Sequence, residues 1–305
     1  MAYSGLLVVD KPRGITSHQV VARARRALGT KKVGHAGTLD PLTTGVLVLG
    51  VERATRLLGH LALRDKAYDA TIRFGVATNT DDSDGEVTDA PGAATLGLAD
   101  VEAALGPFRG LIQQVPSAVS AIKVNGERAY ALARRGEEVA LAARPVTVTR
   151  FDVLAARVSE SDGLRLLDVD VTVECTSGTY IRALARDLGR ALGTGAHLTS
   201  LRRTRVGPFT LAQATWDAEL GALERGQRLA LPLVSLADAA RANFEVVEVD
   251  ADEARDVSFG RALARTVPAD PTALIHEDRL LGLYRPAPGG AVPVAVLAPA
   301  GGGDC

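Results

Sequence analysis

Cysteine is nearly absent from this sequence, which has two in 305 residues, Cys175 and Cys305. So small a number excludes both a disulfide framework and a zinc site built from several cysteines. We therefore expect a protein of a reducing compartment.

Long apolar runs are also missing. No run approaches the roughly 18 residues that a membrane span needs, and no charged and then apolar leader precedes Gly5. We expect a cytoplasmic protein that does not enter a membrane.

An excess of charge of one sign is the third missing feature. The formal net charge is -1, which argues against indiscriminate binding of nucleic acid. Charge is nevertheless clustered, because residues 23–32 carry five Lys or Arg on and after a predicted helix. Such a face is usually solvated, but this one leads directly to His35 and suggests contacts with phosphate. With 47% apolar and 23% charged residues, the chain is expected to form one large globular domain and a smaller one.

The segment from Lys32 to Gly50, KVGHAGTLDPLTTGVLVLG, combines glycines with a histidine and an aspartate. Glycines let the backbone approach a ligand closely, and Pro41 biases Asp40 toward an extended conformation. The apolar run that follows predicts a buried strand, so we expect Asp40 on a loop held by that strand. On these residues alone, the Asp-Pro pair also fits an ordinary turn, and His35 fits a loop histidine bonded to backbone.

Apolar spacing and turn residues predict several further elements. We expect a strand at Gly5–Asp10, a helix from Thr16 or Ser17 to Gly29, and a strand at Tyr68–Phe74. The strand predicted at Leu164–Cys175 breaks its alternation at residues 167–168, which indicates a bulge. The helix that follows is expected to be capped by Ser177 or Thr179 and to expose Arg186 and Arg190 to solvent.

The acidic segment Thr78–Glu86, TNTDDSDGE, has to be compared with a calcium loop. With Gly85 at the sixth position of an EF-hand, Thr80 falls first and Pro91 twelfth, where an aspartate and a glutamate are required. We therefore expect no metal site.

The stretch GHAGTLDPLTTG, residues 34–45, resembles the catalytic motif of TruB-type tRNA pseudouridine synthases. Nearly all of residues 5–236 share this resemblance, which implies an α+β fold in which a mixed, mostly antiparallel sheet flanked by helices forms the catalytic domain. Four further stretches that resemble the family are GLLVVDKPRG at 5–14, KAYDA at 66–70, SGTYIR at 177–182 and AHLTSLRRTRVGPF at 196–209.

The resemblance also implies a domain organisation. Residues 1–242 would form the catalytic domain, with an insertion at about residues 113–145 that grips RNA. Residues 243–305 would form a small β-barrel that resembles a PUA domain. The cations of the insertion are Lys123, Arg128, Arg134 and Arg135.

Roles for individual residues follow from the resemblance. Asp40 is expected to be the nucleophile, Arg182 to pair with it, and Tyr68 to stack on the target base. An arginine fork beside Asp40 would fix the direction of that carboxylate. The residues expected to bind substrate or support the site are His35, Tyr180, Leu201, Lys11 and Asp82. On the sequence alone, Tyr68 also fits a core position and Lys11 a solvated turn.

The implied reaction is the isomerisation of uridine 55 to pseudouridine in the T loop of tRNA, through a flipped uridine. It breaks the bond between ribose and uracil N1 and rejoins the two through C5, without net redox change or hydrolysis. We therefore expect no cofactor. The expected partner is the T arm of tRNA, and the expected form is a monomer that needs no protein partner.

Other functions fit parts of the sequence. A guide-RNA-dependent synthase is the nearest alternative, but such proteins usually need partner proteins and carry different extensions. A non-catalytic RNA-binding or chaperone protein would explain the basic segments equally well, yet it gains nothing from a carboxylate that repels phosphate. Glycoside hydrolysis needs a matched pair of carboxylates, and only Asp40 lies in a marked motif.

Overall fold

The computed structural model describes residues 4–119, 123–124, 127–128, 141–216, 220–222, 227 and 229–300. The strands, in chain order, are β1 (Gly5–Lys11), β2 (Val33–Ala36), β3 (Thr44–Val51), β4 (Lys66–Phe74), β5 (Ala77–Thr78), β6 (Val87–Asp89), β7 (Gly110–Gln114), β8 (Lys123–Val124), β9 (Glu127–Arg128), β10 (Arg144–Ser161), β11 (Leu164–Cys175), β12 (Ala196–Val206), β13 (Phe209–Thr210), β14 (Thr215–Trp216), β15 (Glu245–Glu248), β16 (Thr272–His276), β17 (Arg279–Ala287) and β18 (Gly290–Val296). Over the same residues the α-helices are α1 (Ser17–Leu28), α2 (Leu58–Ala62), α3 (Leu98–Ala104), α4 (Ile181–Ala191), α5 (Leu236–Asn243) and α6 (Ala251–Ser258). Short 3-10 helices are Glu52–Leu57, Gly106–Phe108 and Leu211–Gln213.

The chain folds as two compact units. The first comprises Met1–Asp40, Gly45–Ala62 and Val206–Cys305, and the second comprises Pro41–Thr44 and Leu63–Arg205. The boundary predicted at residues 242–243 falls within the first unit and stays a prediction.

Strand β1 is central to the first unit, because both of its faces are buried. It pairs antiparallel with β3 and parallel with β14, and β2 pairs antiparallel with β3. Side chains alternate between the two faces of a strand, so Leu7 and Val9 lie in an apolar cluster with α1, whereas Leu6 and Val8 lie in another. The strand predicted at Gly5–Asp10 and the buried strand predicted to follow the Asp40 loop are confirmed, the latter as β3.

Helix α1 begins and ends as its sequence predicts. The Oγ of Thr16 accepts a hydrogen bond from the Gln19 N–H (3.2 Å), and the Gln19 side chain accepts one from the Thr16 N–H (2.7 Å), which completes a capping box. Gly29 ends the helix in the left-handed region, with φ +70°. The apolar face of α1 packs on β1 and β3, which makes the helix a fixed platform.

A separate four-stranded sheet, in the order β15-β16-β17-β18, lies at the C-terminal end of the chain. Its first pair is parallel and the other two are antiparallel. Ile275 and Leu283 of this sheet belong to the same apolar cluster as Leu6 and Val8 of β1. The separate C-terminal β-structure is thus confirmed, and its resemblance to a PUA domain stays a prediction.

The second unit is built on five strands in the order β12-β4-β11-β10-β7. The pairs β4–β11, β10–β11 and β7–β10 are antiparallel. Tyr68, Ile72 and Phe74 share one face of β4 and pack with β11 and with α4. Mostly antiparallel sheets with helices packed on them confirm the predicted α+β class.

Two local predictions in this unit are wrong. β11 pairs with β4 without a break from Leu167 to Cys175, so no bulge lies at residues 167–168. Leu167 belongs to the core face, and the alternation is hidden because Leu166 on the opposite face is also buried. The irregular pairings lie in β10 instead, between Val148 and Arg150 and between Val153 and Ala155.

The N-cap of α4 is the second correction. The N-cap residue is Tyr180, without a side-chain cap bond, and not Ser177 or Thr179. The hydroxyl of Thr179 donates to the Thr176 carbonyl (2.9 Å) and is therefore committed to the preceding turn.

Residues 120–140 of the predicted insertion lie outside the described residues, except for β8 and β9, which pair antiparallel. The side chains of the four cations of the insertion, at positions 123, 128, 134 and 135, also lie outside the described part of the chain, so their predicted roles stay predictions.

Candidate active site

Asp40 lies on the loop between β2 and β3, and its side chain is half-buried. Gly37 in this loop has φ +85° and Gly45 at the start of β3 has φ +98°, conformations that favour glycine. Leu39, the residue before Asp40, is buried in the cluster formed by α1, β1 and β3. The loop therefore presents a carboxylate next to an anchored apolar residue.

His35 and Lys11 lie in the same unit as Asp40. The His35 ring, half-buried on β2, packs edge-on against His18 of α1, with ring centroids 5.5 Å apart. Lys11 is fully buried at the end of β1, and its Nζ donates to the carbonyls of Pro12 (2.9 Å) and Ile15 (2.7 Å). A solvated turn lysine is thus excluded, because the ammonium closes the turn that leads into α1.

Tyr68 lies buried on β4, in the same apolar cluster as Leu201 of β12. Arg203, two residues further along β12, is 1% exposed and hydrogen-bonds to the Tyr68 side chain. Burial lowers the pKa of the Arg203 guanidinium, and the interaction with Tyr68 opposes that shift. A buried cation therefore holds the hydroxyl end of Tyr68.

Lys66 adds a second buried cation to this region. It precedes Tyr68 on the same face of β4, is 6% exposed, and donates from Nζ to the Arg64 carbonyl (2.7 Å). Burial, and then the nearby Arg203, lowers the pKa of Lys66 to about 8. Cys175 pairs in register with Lys66 on β11, and burial raises the pKa of its thiol to about 11.

Tyr180 is held at both of its backbone groups by one side chain. The Gln114 Nε2 donates to the Tyr180 carbonyl (3.0 Å), and the Tyr180 N–H donates to Gln114 Oε1 (2.8 Å). Gln114 itself is buried at the end of β7. The Arg144 guanidinium lies over the Tyr180 ring, 4.9 Å from its centroid, so both the backbone and the ring are fixed.

Arg182 and Asp82 come together in the second unit. Arg182 is 4% exposed and donates to the carbonyls of Thr80 (2.7 Å) and Val119 (2.8 Å). Its Nε lies 3.6 Å from Asp82 Oδ2. Asp82 also accepts from the hydroxyl of Thr80 (2.6 Å), so this arginine and carboxylate join α4 to the acidic segment.

Arg186 is not a solvent-facing residue, contrary to the prediction. Its side chain is 14% exposed, its Nη1 lies 3.2 Å from Asp81 Oδ2, and its Nη2 donates to the Val115 carbonyl (2.7 Å). Burial raises the pKa of Asp81, although the Ser117 hydroxyl and Arg186 lower it. Arg190, one turn further, is exposed as predicted.

Gln114, Arg144 and Arg203 form contacts around the predicted site residues that the sequence did not reveal. Gln114 bonds to a backbone 66 residues away, and no spacing rule links positions so distant. The burial of Arg203 could have been predicted. Arg203 lies two residues after Leu201 on a strand, so the two side chains lie on the same face.

Across the residues that the structure describes, no group of three or more His, Cys, Asp or Glu side chains is placed to hold a metal ion. In the same part of the chain, no helix is long and apolar enough to cross a membrane.

Comparison with known proteins agrees with the motifs. Residues 25–181 match the family described as TruB family pseudouridylate synthase (N terminal domain), and residues 182–226 match the tRNA pseudouridylate synthase B C-terminal domain. A Cutibacterium acnes protein named tRNA pseudouridine synthase B is 56% identical over 285 residues, 93% of each chain. The chain belongs to the TruB family of pseudouridylate synthases. It is therefore an enzyme that forms pseudouridine by isomerisation.

Further TruB relatives and solved structures support this membership. A Nocardia farcinica protein of the same name is 56% identical over 298 residues, which cover 97% of this chain and 94% of the relative. Among solved structures, a Cbf5-Nop10-Gar1 complex contains a chain with a TM-score of 0.68 and 26% identity, covering 97% of this chain and 85% of that one.

Proposed function

We propose that this TruB-family enzyme converts uridine 55 in the T loop of tRNA to pseudouridine, with Asp40 as the nucleophile. The observation that carries the proposal is the half-buried carboxylate on a glycine-containing loop, next to the anchored Leu39. Relatives that are 50% to 59% identical are named tRNA pseudouridine synthase B, which supports tRNA as the substrate.

The chemistry needs one nucleophile and no net exchange of atoms. The Asp40 carboxylate forms a covalent bond to the nucleotide, and the bond between ribose C1′ and uracil N1 breaks. The uracil turns, C5 bonds to C1′ and the bond between Asp40 and the nucleotide breaks, which restores the carboxylate; the proton lost from C5 is balanced by the proton gained at N1. The reaction is redox-neutral and consumes no water, so it requires no cofactor.

We assign to the other predicted residues the roles that the family resemblance implies. Tyr68 stacks on the uracil with its hydroxyl held by Arg203, and Leu201 lies in the same apolar cluster as a wall of the pocket. Tyr180 lines the uridine pocket with a fixed backbone and ring. Arg182, in our proposal, orients Asp40, and Asp82 supports Arg182. His35 holds the flipped loop, and Lys11 shapes the turn behind it.

The proposed partner is the T arm of tRNA, which must release its target base from the stack at a cost of a few kcal/mol. We propose that a monomer in the cytoplasm does this without a protein partner. The basic residues 23–32 are offered as phosphate contacts.

The alternative is a guide-RNA-dependent reaction, which usually needs partner proteins, and a chain of similar fold is part of a Cbf5-Nop10-Gar1 complex. That chain is only 26% identical, against 56% for the Cutibacterium acnes tRNA pseudouridine synthase B. The higher identity over the full length favours action on tRNA without a guide.

The test is to incubate the purified protein with an unmodified tRNA transcript and to map pseudouridine by chemical probing. We expect one signal, at position 55, from the wild-type protein alone, and none from Asp40→Asn, which keeps the size of the side chain but loses the nucleophilic charge. A signal at another position, a requirement for guide RNA, or turnover by Asp40→Asn within about tenfold of wild type would contradict the proposal.

A further inference from the structure

Ser17, the first residue of α1, makes two hydrogen bonds to a single distant residue. Its Oγ accepts from the Leu39 N–H (2.9 Å) and donates to the Leu39 carbonyl (3.1 Å). Ser17 is 1% exposed and Leu39 is 4% exposed, so water does not compete for these groups. One hydroxyl thus uses its donor and one of its acceptor positions to hold both backbone polar groups of the residue before Asp40.

The Leu39 carbonyl belongs to the peptide group that also contains the Asp40 nitrogen. Because a peptide group is planar, holding its carbonyl oxygen together with the nitrogen and the buried side chain of Leu39 restricts where the Asp40 Cα can lie. On the other side, Pro41 restricts the backbone angles of Asp40. The orientation of the Asp40 backbone is therefore set by Ser17 before it and by a proline ring after it.

Ser17 is itself held firmly. Val20, Val21 and Ala24 of α1 are buried in the apolar cluster with β1 and β3, which fixes the start of the helix, whereas the cap bonds between Thr16 and Gln19 lie exposed at the surface. Lys11 closes the turn that precedes Thr16 through its bond to the Ile15 carbonyl (2.7 Å). A continuous set of contacts thus runs from β1 through the start of α1 to the Asp40 loop.

We propose that Ser17 is a positioning residue for the TruB reaction, which sets the direction of the Asp40 carboxylate without touching the substrate. This inference rests on the proposed role of Asp40 as nucleophile. A displacement of about 1 Å at a reacting group can cost about a hundredfold in rate. Since the effect acts on chemistry and not on tRNA contacts, it belongs to kcat rather than KM.

The experiment compares Ser17→Ala with Thr16→Ala, a neighbouring variant that loses the cap bond to Gln19 but keeps both bonds to Leu39. Single-turnover rates, KM for tRNA and thermal unfolding are measured for both full-length enzymes. We expect Ser17→Ala to lower kcat by about 10-fold to 100-fold with KM within about threefold. We expect Thr16→Ala to lower Tm with kcat within about threefold of wild type.

Two further variants make the result decisive. Ser17→Cys keeps the shape of the side chain with a weaker donor and acceptor, so its kcat should fall between those of wild type and Ser17→Ala. Wild-type kcat in Ser17→Cys, or equal kcat in Ser17→Ala and Thr16→Ala, would overturn the inference. Asp40→Asn, assayed in parallel, separates the two proposals. If Asp40→Asn is inactive, either of those two kcat results contradicts only the role of Ser17. An active Asp40→Asn would contradict the role of Asp40 as nucleophile.

Discussion

The Tyr68 side chain offers two separable contributions, because its ring lies in the apolar cluster and its hydroxyl meets the buried Arg203. We expect Tyr68→Phe to keep tRNA affinity within about threefold and to lower the free energy of unfolding by about 1 to 3 kcal/mol, since Arg203 loses a partner. Tyr68→Leu should also lose the proposed stacking on the base, worth about 1 to 3 kcal/mol. To separate the contribution of the ring from that of the hydroxyl, tRNA affinity is measured for each Tyr68 variant combined with Asp40→Asn, and kcat is measured for each Tyr68 variant alone. If Phe slows the chemical step as much as Leu does, the hydroxyl and not the ring is the active part.

The buried Lys66 predicts a pH dependence of folding stability. Its pKa falls from 10.5 to about 8 on folding, so between these pH values the unfolded chain binds more protons than the folded one. The Lys66 contribution therefore destabilises the fold fully below about pH 8 and is relieved as pH rises toward 10.5. We expect the free energy of unfolding to gain about 1 kcal/mol from this residue between about pH 7 and 9.

The matched control for that prediction is Lys66→Met, which keeps an unbranched chain and cannot titrate. Urea unfolding of both proteins at several pH values up to about 9 gives the difference in slope. The range stops there because burial raises the pKa of Cys175 to about 11, which lowers stability at higher pH. Equal slopes in the two proteins would show that Lys66 does not titrate in this range.

The link between β7 and α4 depends on a single carboxamide. Gln114→Met removes both bonds to the Tyr180 backbone and leaves two polar groups without that partner, at about 1 to 3 kcal/mol each. We expect a Tm lower by several degrees and, if Tyr180 lines the uridine pocket as proposed, a reduced kcat/KM, since its backbone is no longer fixed. Arg144→Met is the control, because it removes only the cation over the ring. A larger loss of kcat/KM in Arg144→Met than in Gln114→Met would show that the contact of Arg144 with the ring, and not the two bonds of Gln114 to the backbone, positions Tyr180.

Elements fixed by local chemistry were predictable from the sequence, and contacts between distant segments were not. Helix α1 has its capping box and its glycine within its own residues, so its bounds could be predicted. Arg186 was predicted on the solvent face because Asp81, its partner, lies 105 residues earlier. In the same way the motif around Asp40 was visible in the sequence, but the hydroxyl of Ser17 that holds Leu39, 22 residues away, was not.

The C-terminal sheet completes the core of the first unit, and this has a consequence for truncation. Ile275, Leu280 and Leu283 are buried in the cluster that includes Leu6 and Val8 of β1, and each contributes roughly 1.5 to 3 kcal/mol by burial. A fragment ending at residue 242 loses all three, against a total stability of about 5 to 15 kcal/mol. We expect the fragment to have a markedly lower Tm, or not to fold, so that its turnover fails through loss of structure.

Point variants in the full chain test the same idea. Leu283→Ala, at a fully buried position, should lower the free energy of unfolding by about 2 to 5 kcal/mol, whereas Val294→Ala, at a position 41% exposed, should have little effect. A folded fragment 1–242 with the Tm of the full chain would show that the cluster around β1 is stable without the C-terminal sheet.

We expect the hairpin of β10 and β11 to be an early step in the folding of the second unit. Asp162 and Gly163, the two residues between the strands, have φ of 52° and 74°, as the turns that match the natural twist of a hairpin require. Pairing begins beside them at Ser161 and Leu164, and hairpins with so short a loop form within microseconds. By contrast Thr71 of β4 meets Asp170 of β11 across 99 residues, and closing so long a loop is entropically costlier and slower. We therefore expect β4 to dock on the hairpin after the hairpin has formed, so a substitution in the two turn residues should delay the assembly of this unit without changing any of the proposed site residues.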